Sequence, residues 1–325
     1  MDEGVLRRIF LELSTVSSDE TPLEIIWHGG EPTLAGIDFY RMAVDMQREI
    51  FPNKEVKNGI QTNGTLINDD WCRFFQEVGF RPSVSMDGPK DLHDKLRVNS
   101  ANRGTYEKVI SGYRLMKAYG LHVGSLGVIT SYNVRHPEMI INWLIENNIT
   151  SWDFLFATET PEADSGLNPE LKEAEDFSIR LFDYWFDKDN PDIKIRTFRT
   201  MLKSLVGGSP SICSWKSGCL TFISFDIDGN AYLCAKFHVY PETSYGNIME
   251  KSLNDMIENP RVKTMHREIV EAQKSCSDCR WLRGCGGGCS FIKYAFHKKF
   301  NAPFEHCGIR SSLFEHIERA VKRFV

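Results

Sequence analysis

Eight of the nine cysteines follow residue 212, and their spacing indicates a metal centre. They are Cys213, Cys219, Cys234, Cys276, Cys279, Cys285, Cys289 and Cys307. Thiolates bind zinc or iron, and C-x2-C and C-x5-C spacings let neighbouring backbone amides donate hydrogen bonds to bound sulfurs. The run Gly286-Gly287-Gly288 permits close approach of the backbone to a bulky centre. The pattern predicts two sets of four sulfur ligands.

Three kinds of centre fit this spacing. A structural zinc ribbon uses much the same ligands as an iron-sulfur cluster, and disulfides are the third alternative. In a reducing compartment, a dense cysteine pattern indicates metal binding or catalysis more often than disulfides. The spacing by itself does not decide between zinc and iron-sulfur.

The composition is that of a globular protein without a nucleic-acid or membrane surface. Of 325 residues, 42% are hydrophobic and 26% are charged, which allows a sizeable core. The net charge is −5, and Lys and Arg are scattered rather than gathered in a basic stripe. No apolar run reaches the roughly 20 residues that span a bilayer, and the first residues do not form a signal peptide. We expect a cytoplasmic protein with no nucleic-acid or membrane partner.

Short apolar runs alternate with amphipathic stretches through the first 160 residues. Buried parallel strands are predicted at 23–28, 58–62, 82–86, 122–130 and 152–156. Helices are predicted at 38–51, 69–79, 105–120 and 136–148, where apolar residues recur three and four apart. The alternation predicts an α/β sheet or barrel that positions its chemistry at the strand ends.

A second domain is expected after residue 190, where the glycine and cysteine content rises. A helix over about 168–187 precedes it, and segment 222–234 predicts a hairpin that turns at Asp228-Gly229-Asn230. An amphipathic helix over 310–324 is expected to end the chain. The expected domains are therefore residues 1–190 and 191–325.

The cysteine spacing resembles the seven-cysteine signature of the SPASM domain of radical S-adenosylmethionine (radical SAM) enzymes. The pattern is Cys219-x9-Gly229-x4-Cys234, then Cys276-x2-Cys279-x5-Cys285-x3-Cys289, then Cys307, with Cys213 at the place of an extra upstream ligand. The resemblance implies two auxiliary [4Fe-4S] clusters. One would be held by Cys213, Cys219, Cys234 and Cys289, and the other by Cys276, Cys279, Cys285 and Cys307.

Segments at three predicted strand ends strengthen the resemblance. "WHGGEPTL" (27–34) resembles the family's GGEP motif, whose backbone binds S-adenosylmethionine, and "QTNGTLI" and "SVSMDGPKDLHDKLR" resemble the next strand ends. The implied cofactor-binding residues are Gly29, Gly30, Glu31, Pro32, Asn63, Ser85 and Asp87. The implied fold is a partial (β/α)6 TIM-like barrel lacking its first strand, then a small Cys-rich SPASM domain and a C-terminal helix.

Simpler roles also fit several of these residues. Asn63-Gly64 and Asp87-Gly88 could be plain turns, and Arg97 could form a local salt bridge. His28 and His93 could be surface or core residues, and Cys72 is expected in the core of a helix. No residue is assigned as catalytic.

The sequence departs from the family pattern in two places. It has no C-x3-C-x2-C motif for the radical-generating cluster, so we expect an in-frame motif upstream of the Met1 codon and a third cluster in the complete protein. The alternative is a natural form that has lost radical generation. In sulfatase-maturing relatives, an Asp follows the hairpin cysteine and is thought to act as base, but here that place is Ala235.

The resemblance therefore implies a maturase that installs a side-chain modification or crosslink on a ribosomally made peptide through a 5′-deoxyadenosyl radical. Its partners would be a substrate peptide or protein and an electron donor such as flavodoxin or ferredoxin. Two alternatives stay open. One is anaerobic sulfatase maturation, which forms formylglycine, and the other is a non-catalytic iron-sulfur or zinc protein.

Overall fold

The computed structural model describes residues 1–18, 20–159, 165–216 and 218–322. The chain divides into two compact units, each made of separate segments. The first unit comprises Met1–Ser85, Lys108–Gly124 and Leu220–His266, and the second comprises Met86–Glu107, Ser125–Cys219 and Arg267–Val325. The expected division into residues 1–190 and 191–325 stays a prediction.

Parallel strands occur in both units. In the first unit the order is β1 (Leu23–Trp27), β2 (Val56–Thr62) and β3 (Arg81–Ser85), with Ile26 opposite Gly59. In the second unit the order is β4 (Gly124–Ile129, whose first residue is assigned to the first unit), β5 (Ser151–Phe156) and β6 (Lys194–Ile195). A small antiparallel sheet consists of β7 (Ser224–Phe225), β8 (Asn230–Tyr232) and β9 (Gly246–Asn247).

The α-helices of the described residues follow in chain order. They are α1 (Glu3–Val16), α2 (Ile37–Ile50), α3 (Asp69–Val78), α4 (Lys90–His93), α5 (Tyr106–Ala118), α6 (Pro137–Glu146), α7 (Leu171–Asp187), α8 (Arg196–Leu205), α9 (Leu253–Glu258), α10 (Pro260–Lys274), α11 (Leu282–Cys285), α12 (Ser290–His297) and α13 (Cys307–Val321). Short 3-10 turns include Pro32–Ala35, Cys213–Trp215 and Ala235–Val239.

Helix α3 illustrates why these segments fold as they do. The Asn68 side chain accepts a hydrogen bond from the backbone N–H of Trp71 and so caps the helix, and Gly79 ends it in the left-handed region. Its apolar face packs an aromatic core in which the rings of Tyr40 and Trp71 lie 5.7 Å apart. Fully burying an aromatic side chain of this kind contributes about 2–3 kcal/mol.

In the second unit, helix packing fixes the cysteine-rich segment. Helix α13 packs against α7 and α8, and α11 packs against α8. The ring of Trp281, just before α11, stacks on Phe314 of α13 with centroids 5.0 Å apart and an interplanar angle of 7°. A Cβ at Gly284 would come within 2.9 Å of Phe314 and of Ser204. Only glycine therefore lets α11 approach so closely.

The predicted strands and helices agree with the observed ones to within about three residues at their ends. The predicted hairpin is β7–β8, with Gly229 at φ 89° in its turn. The predicted final helix begins three residues earlier, at Cys307, and its last two positions, 323 and 324, lie outside the described residues. Strands β6 and β9 and helices α4 and α8 to α12 were not predicted. Within the described ranges, no helix has the length and apolar composition needed to cross a bilayer.

Candidate functional site

One carboxylate fixes the loop after β1. Glu31 Oε1 accepts hydrogen bonds from the Thr33 N–H (3.0 Å) and the Thr62 hydroxyl (2.6 Å), and Oε2 accepts from the Asn63 N–H (2.6 Å). Gly29 and Gly30 are exposed with φ of 108° and 56°, and a Cβ on either would meet nothing within 4 Å. The loop thus combines a fixed anchor at Glu31 with open backbone at the two glycines.

Neighbouring predicted residues in the first unit also have identifiable partners. The Pro32 carbonyl accepts a 2.8 Å hydrogen bond from the buried Tyr40 hydroxyl. Asn63 Oδ1 accepts from the N–H and hydroxyl of Thr65 at 2.9 and 2.8 Å, which makes it a turn residue. Ser85 Oγ accepts from the Gln61 side-chain amide at 3.0 Å.

Asp87, in the second unit, is 5% exposed and engaged by its own chain. Arg97 Nε and Nη2 donate to its two carboxylate oxygens at 2.5 and 2.9 Å, and the Val128 N–H donates at 2.8 Å. The salt bridge considered for Arg97 is therefore present. Binding of S-adenosylmethionine by Asp87 stays a prediction.

His93 is fully buried beside Asp87. Its Nδ1 lies 3.4 Å from the Asp87 N–H and its Nε2 lies 3.2 Å from the Thr105 hydroxyl. Burial lowers the pKa of His93 to about 4, so the ring is neutral near pH 7. It is a core residue, one of the two roles considered for it.

Two histidines of the first unit interact with residues of the hairpin or of the turn Ala235–Val239 that follows it. Burial lowers the pKa of His28, and the positive charge of Lys236 lowers it further. His238 Nε2 lies 3.0 Å from Ser224 Oγ, and its ring is 4.8 Å from Tyr232. Burial also lowers the pKa of His238. The Ala235 methyl group itself cannot accept a proton.

Three predicted ligands of one cluster are electrostatic neighbours in the second unit: Cys213, Cys219 and Cys289. Burial raises the pKa of Cys219, the nearby Cys289 thiolate raises it further, and hydrogen bonds from the side chain and backbone of Ser290 oppose the rise. The fourth predicted ligand, Cys234, belongs to the first unit, where it directly precedes the turn Ala235–Val239.

The four predicted ligands of the other cluster, Cys276, Cys279, Cys285 and Cys307, are also electrostatic neighbours. Burial and the three other sulfurs raise the pKa of Cys307. Arg310 Nη1 donates to Cys285 Sγ (3.5 Å), to the Cys285 carbonyl (3.1 Å) and to the Ser214 carbonyl (2.8 Å). Its guanidinium stands over Trp215 at 4.1 Å.

Lys293 connects the two groups of sulfurs electrostatically. It is 4% exposed, and burial lowers its pKa while Cys276, Cys285, Cys219 and Cys289 oppose that effect. Within the described ranges, no three His, Cys, Asp or Glu side chains are close enough to share a single metal ion.

Cys72 is 0% exposed in α3, and burial raises its pKa to about 11, so the structure makes it a core thiol.

Comparisons with known proteins identify the family. The Radical SAM superfamily profile matches residues 6–144, and the profile of the SPASM iron-sulfur cluster-binding domain matches residues 213–280. The chain is 31% identical over 300 residues to a cysteine-type anaerobic sulfatase-maturating enzyme of Clostridium novyi, covering 88% of this chain and 76% of that one. It belongs to the radical SAM superfamily and carries a SPASM domain.

Two further similarities support this membership. A serine-type anaerobic sulfatase-maturating enzyme of Bacteroides thetaiotaomicron is 29% identical over 285 residues, covering 81% of this chain and 68% of that one. The solved structure of native anSMEcpe with bound AdoMet and Cp18Cys peptide matches with a TM-score of 0.87 and 25% identity, covering 100% of this chain and 91% of that one. The predicted α/β class and radical SAM fold are confirmed.

The predicted cofactors of this radical SAM chain, [4Fe-4S] clusters and S-adenosylmethionine, are confirmed by its family. The donor set fits auxiliary clusters because two groups of sulfurs have nearby hydrogen-bond donors and a buried cation. The thiolates of a radical-generating cluster are not among these 325 residues, which contain no C-x3-C-x2-C motif. The assignment of each cysteine to a cluster stays a prediction.

Sequence reasoning missed several residues that shape these sites: Thr62, Ser290, Lys293 and Arg310. A signal for one of them was present, because "SFIKYAF" places a single lysine inside an apolar run. The others are ordinary polar residues whose partners come from distant parts of the chain. Spacing could not identify them.

Proposed function

We propose that this protein is a peptide maturase that oxidises a side chain of a ribosomally made substrate peptide, with a crosslink as the product. The observation that carries the peptide substrate is the match of the whole chain to a structure that binds both AdoMet and a peptide. The observation that favours a crosslink over formylglycine is Ala235, which replaces an expected carboxylate.

The chain's own residues would position the cofactor and the sulfur ligands. The backbone of Gly29 and Gly30 is open to a ligand, and the Glu31 carboxylate fixes the loop that carries it. Ser290 and Arg310 donate hydrogen bonds to cysteine sulfurs and would orient them as ligands. The eight cysteines after residue 212 are the proposed ligands of the two auxiliary clusters.

When bound, the cofactors supply hydrogen abstraction through a 5′-deoxyadenosyl radical and sites for one-electron transfer. The peptide loses two hydrogen atoms overall. One leaves in 5′-deoxyadenosine, and the other leaves as an electron and a proton when the new bond closes. An external donor such as flavodoxin or ferredoxin would supply the electron that starts each turnover.

Sulfatase maturation is the second candidate, and the two similar sulfatase-maturating enzymes favour it. Formylglycine formation requires that a proton leave the substrate as a carbonyl forms, which a correctly placed base assists. The Ala235 methyl group cannot do this. Among the described side chains, His28 and His238 are the ones to test as the base in place of Ala235.

Metal analysis tests the proposed ligands. Anaerobically purified protein should be brown and contain iron and sulfide in equal amounts. In this chain of 325 residues, which holds the proposed ligands of two clusters, Cys276→Ala and Cys219→Ala should each lose about half of the iron, because each belongs to a different proposed set. Cys72→Ala is the matched control: it removes a thiol outside both sets and should keep all the iron. Zinc in place of iron would refute the assignment.

An activity assay separates the two products. The protein is expressed from the reading frame that includes the expected upstream C-x3-C-x2-C motif. It is incubated with S-adenosylmethionine, dithionite and one of two substrates: a short peptide encoded beside the gene, or a Cys-containing sulfatase peptide. Our proposal expects 5′-deoxyadenosine and a crosslinked neighbouring peptide lighter by two hydrogens. An aldehyde on the sulfatase peptide, trapped by a hydrazide, with no change in the neighbouring peptide would establish the second candidate.

A further inference from the structure

Lys293 is a cation inside a helix that is otherwise buried and largely apolar. Helix α12 begins directly after Cys289, and its residues from Ser290 to Ala295 are all buried. Lys293 is one turn after Cys289, and its N–H donates to the Cys289 carbonyl at 3.2 Å. With 4% of its surface exposed, this side chain does not reach bulk water as most lysines do.

A buried ammonium is costly unless anions compensate its charge. Among the described residues, no Asp or Glu forms an ion pair with Lys293, and four cysteine sulfurs are the charges that oppose the lowering of its pKa most. Cys276 and Cys285 belong to one proposed ligand set, and Cys219 and Cys289 belong to the other. The geometry places the start of α12 beside both sets: Ser290 forms hydrogen bonds with Cys219, Cys289 directly precedes the helix, and a Cβ on Gly287 would lie 3.9 Å from Cys276 Sγ.

We propose that Lys293 is the shared countercharge of the two auxiliary clusters and raises the reduction potential of both. This inference rests on the proposed cysteine ligands. A [4Fe-4S] cluster with four thiolates is negative when oxidised and gains one more negative charge when an electron reduces it. A fixed positive charge in a poorly solvated interior therefore stabilises the reduced form more than the oxidised form.

The reach of Lys293 distinguishes it from Arg310, another cation near these sulfurs. Arg310 donates to a sulfur of only one set, Cys285, and keeps partial access to solvent. Loss of the Arg310 charge should therefore affect chiefly one cluster, whereas loss of the Lys293 charge should affect both. This difference makes the proposal specific.

The test is a dithionite titration of the anaerobic, iron-replete holoenzyme, with the reduced clusters followed by electron paramagnetic resonance. Lys293→Met should lower the equilibrium constant for one-electron reduction of each cluster at least tenfold, which lowers each reduction potential by about 59 mV. Lys293→Arg should keep both potentials near those of the wild type. Lys274→Met is the matched control, because it removes an exposed charge two residues from Cys276.

Each result decides the question. Unchanged potentials in Lys293→Met, with full iron content, overturn the proposal. If Lys293→Met does not assemble clusters, the arginine variant decides. Full cluster assembly in Lys293→Arg supports a role of the positive charge. Failure of Lys293→Arg as well shows that only the shape of the lysine matters and overturns the proposal. A wild-type protein without iron refutes the ligand assignment together with the countercharge, whereas iron with unshifted potentials refutes the countercharge alone.

Discussion

The Glu31 carboxylate accepts a 2.6 Å hydrogen bond from the backbone N–H of Asn63. The bond joins the loop after β1 to the end of β2, and the Thr62 hydroxyl makes a second link of the same length. Acidic residues in such a loop are readily interpreted as ligand contacts. Here the acid holds two adjacent strand ends together, directly after the open backbone of Gly29 and Gly30.

We expect Glu31→Ala to lower the free energy of unfolding by about 2 kcal/mol, because partly buried donors on Asn63 and Thr62 lose a charged acceptor. Urea denaturation measures this loss. Glu24→Ala is the matched control: it removes an exposed carboxylate from β1 and should change stability by less than about 0.5 kcal/mol. Equal losses in the two variants would contradict the anchoring role.

Asp87→Asn should be more damaging. The substitution removes the buried negative charge that pairs with Arg97, and because the Arg97 side chain is 27% exposed the loss should lie near the low end of the about 3–5 kcal/mol for breaking a buried pair. Asp87→Asn/Arg97→Met should recover part of the loss, since the orphaned cation is removed too. Asp70→Asn breaks an exposed pair with Arg73 and should cost at most about 1 kcal/mol. A double variant less stable than Asp87→Asn alone would contradict the pairing argument.

Because His93 is buried in its neutral form, we expect the protein to lose free energy of unfolding in acid. Its folded-state pKa of about 4 lies below the ordinary value of 6.5, so unfolding takes up a proton between these pH values. The stability that depends on neutral His93 is present above pH 6.5 and disappears as the pH falls through 4, by about 3 kcal/mol in all.

Urea denaturation between pH 7 and pH 4 tests this in the wild type and in His93→Gln. The variant should be less stable at pH 7 but lose less stability on acidification. The exposed His122→Gln should follow the wild-type profile. Parallel profiles for the wild type and His93→Gln would show that His93 does not contribute to the acid sensitivity.

Most elements of the first 160 residues were predictable because their signals are local, whereas the four-residue helix α4 was not. Helix α3 has a capping Asn68, an apolar face and a terminal Gly79, and these three signals are adjacent in sequence. Strand β6 has only two residues, Lys194–Ile195, and α8 begins at the next residue. A strand so short shows no alternation, so pattern reasoning could not find it.

The residues of the candidate sites also fall into two groups: those that local spacing suggested and those that only tertiary structure brings together. Spacing suggested the eight cysteines as candidate ligands, which stays a prediction, but the proximity of Cys219 to Cys289 depends on how distant segments pack. The contacts of Arg310 with Ser214 and Cys285 also join segments far apart in sequence. Partners of this kind follow from tertiary structure, and no local pattern contains them.

The glycine directly before Cys289 provides the last prediction. Gly288 has φ 93°, and a Cβ there would overlap the Phe304 ring. Gly288→Ala must therefore strain the backbone and displace an aromatic side chain, which should cost more than 3 kcal/mol and reduce the iron content. Gly120→Ala is the matched control, because its φ is 75° and its Cβ would meet nothing within 4 Å.

The control should lose only about 1 kcal/mol, the cost of the backbone conformation alone. Gly288→Ala/Phe304→Ala removes the overlap but keeps the strain, so it separates the two effects. Since Phe304 also lies under Arg310, at 4.5 Å, this double variant should recover iron binding only in part. Full iron content in Gly288→Ala itself would mean that the loop moves away from Phe304 without disturbing Cys289, and the close packing argued for this loop would be wrong.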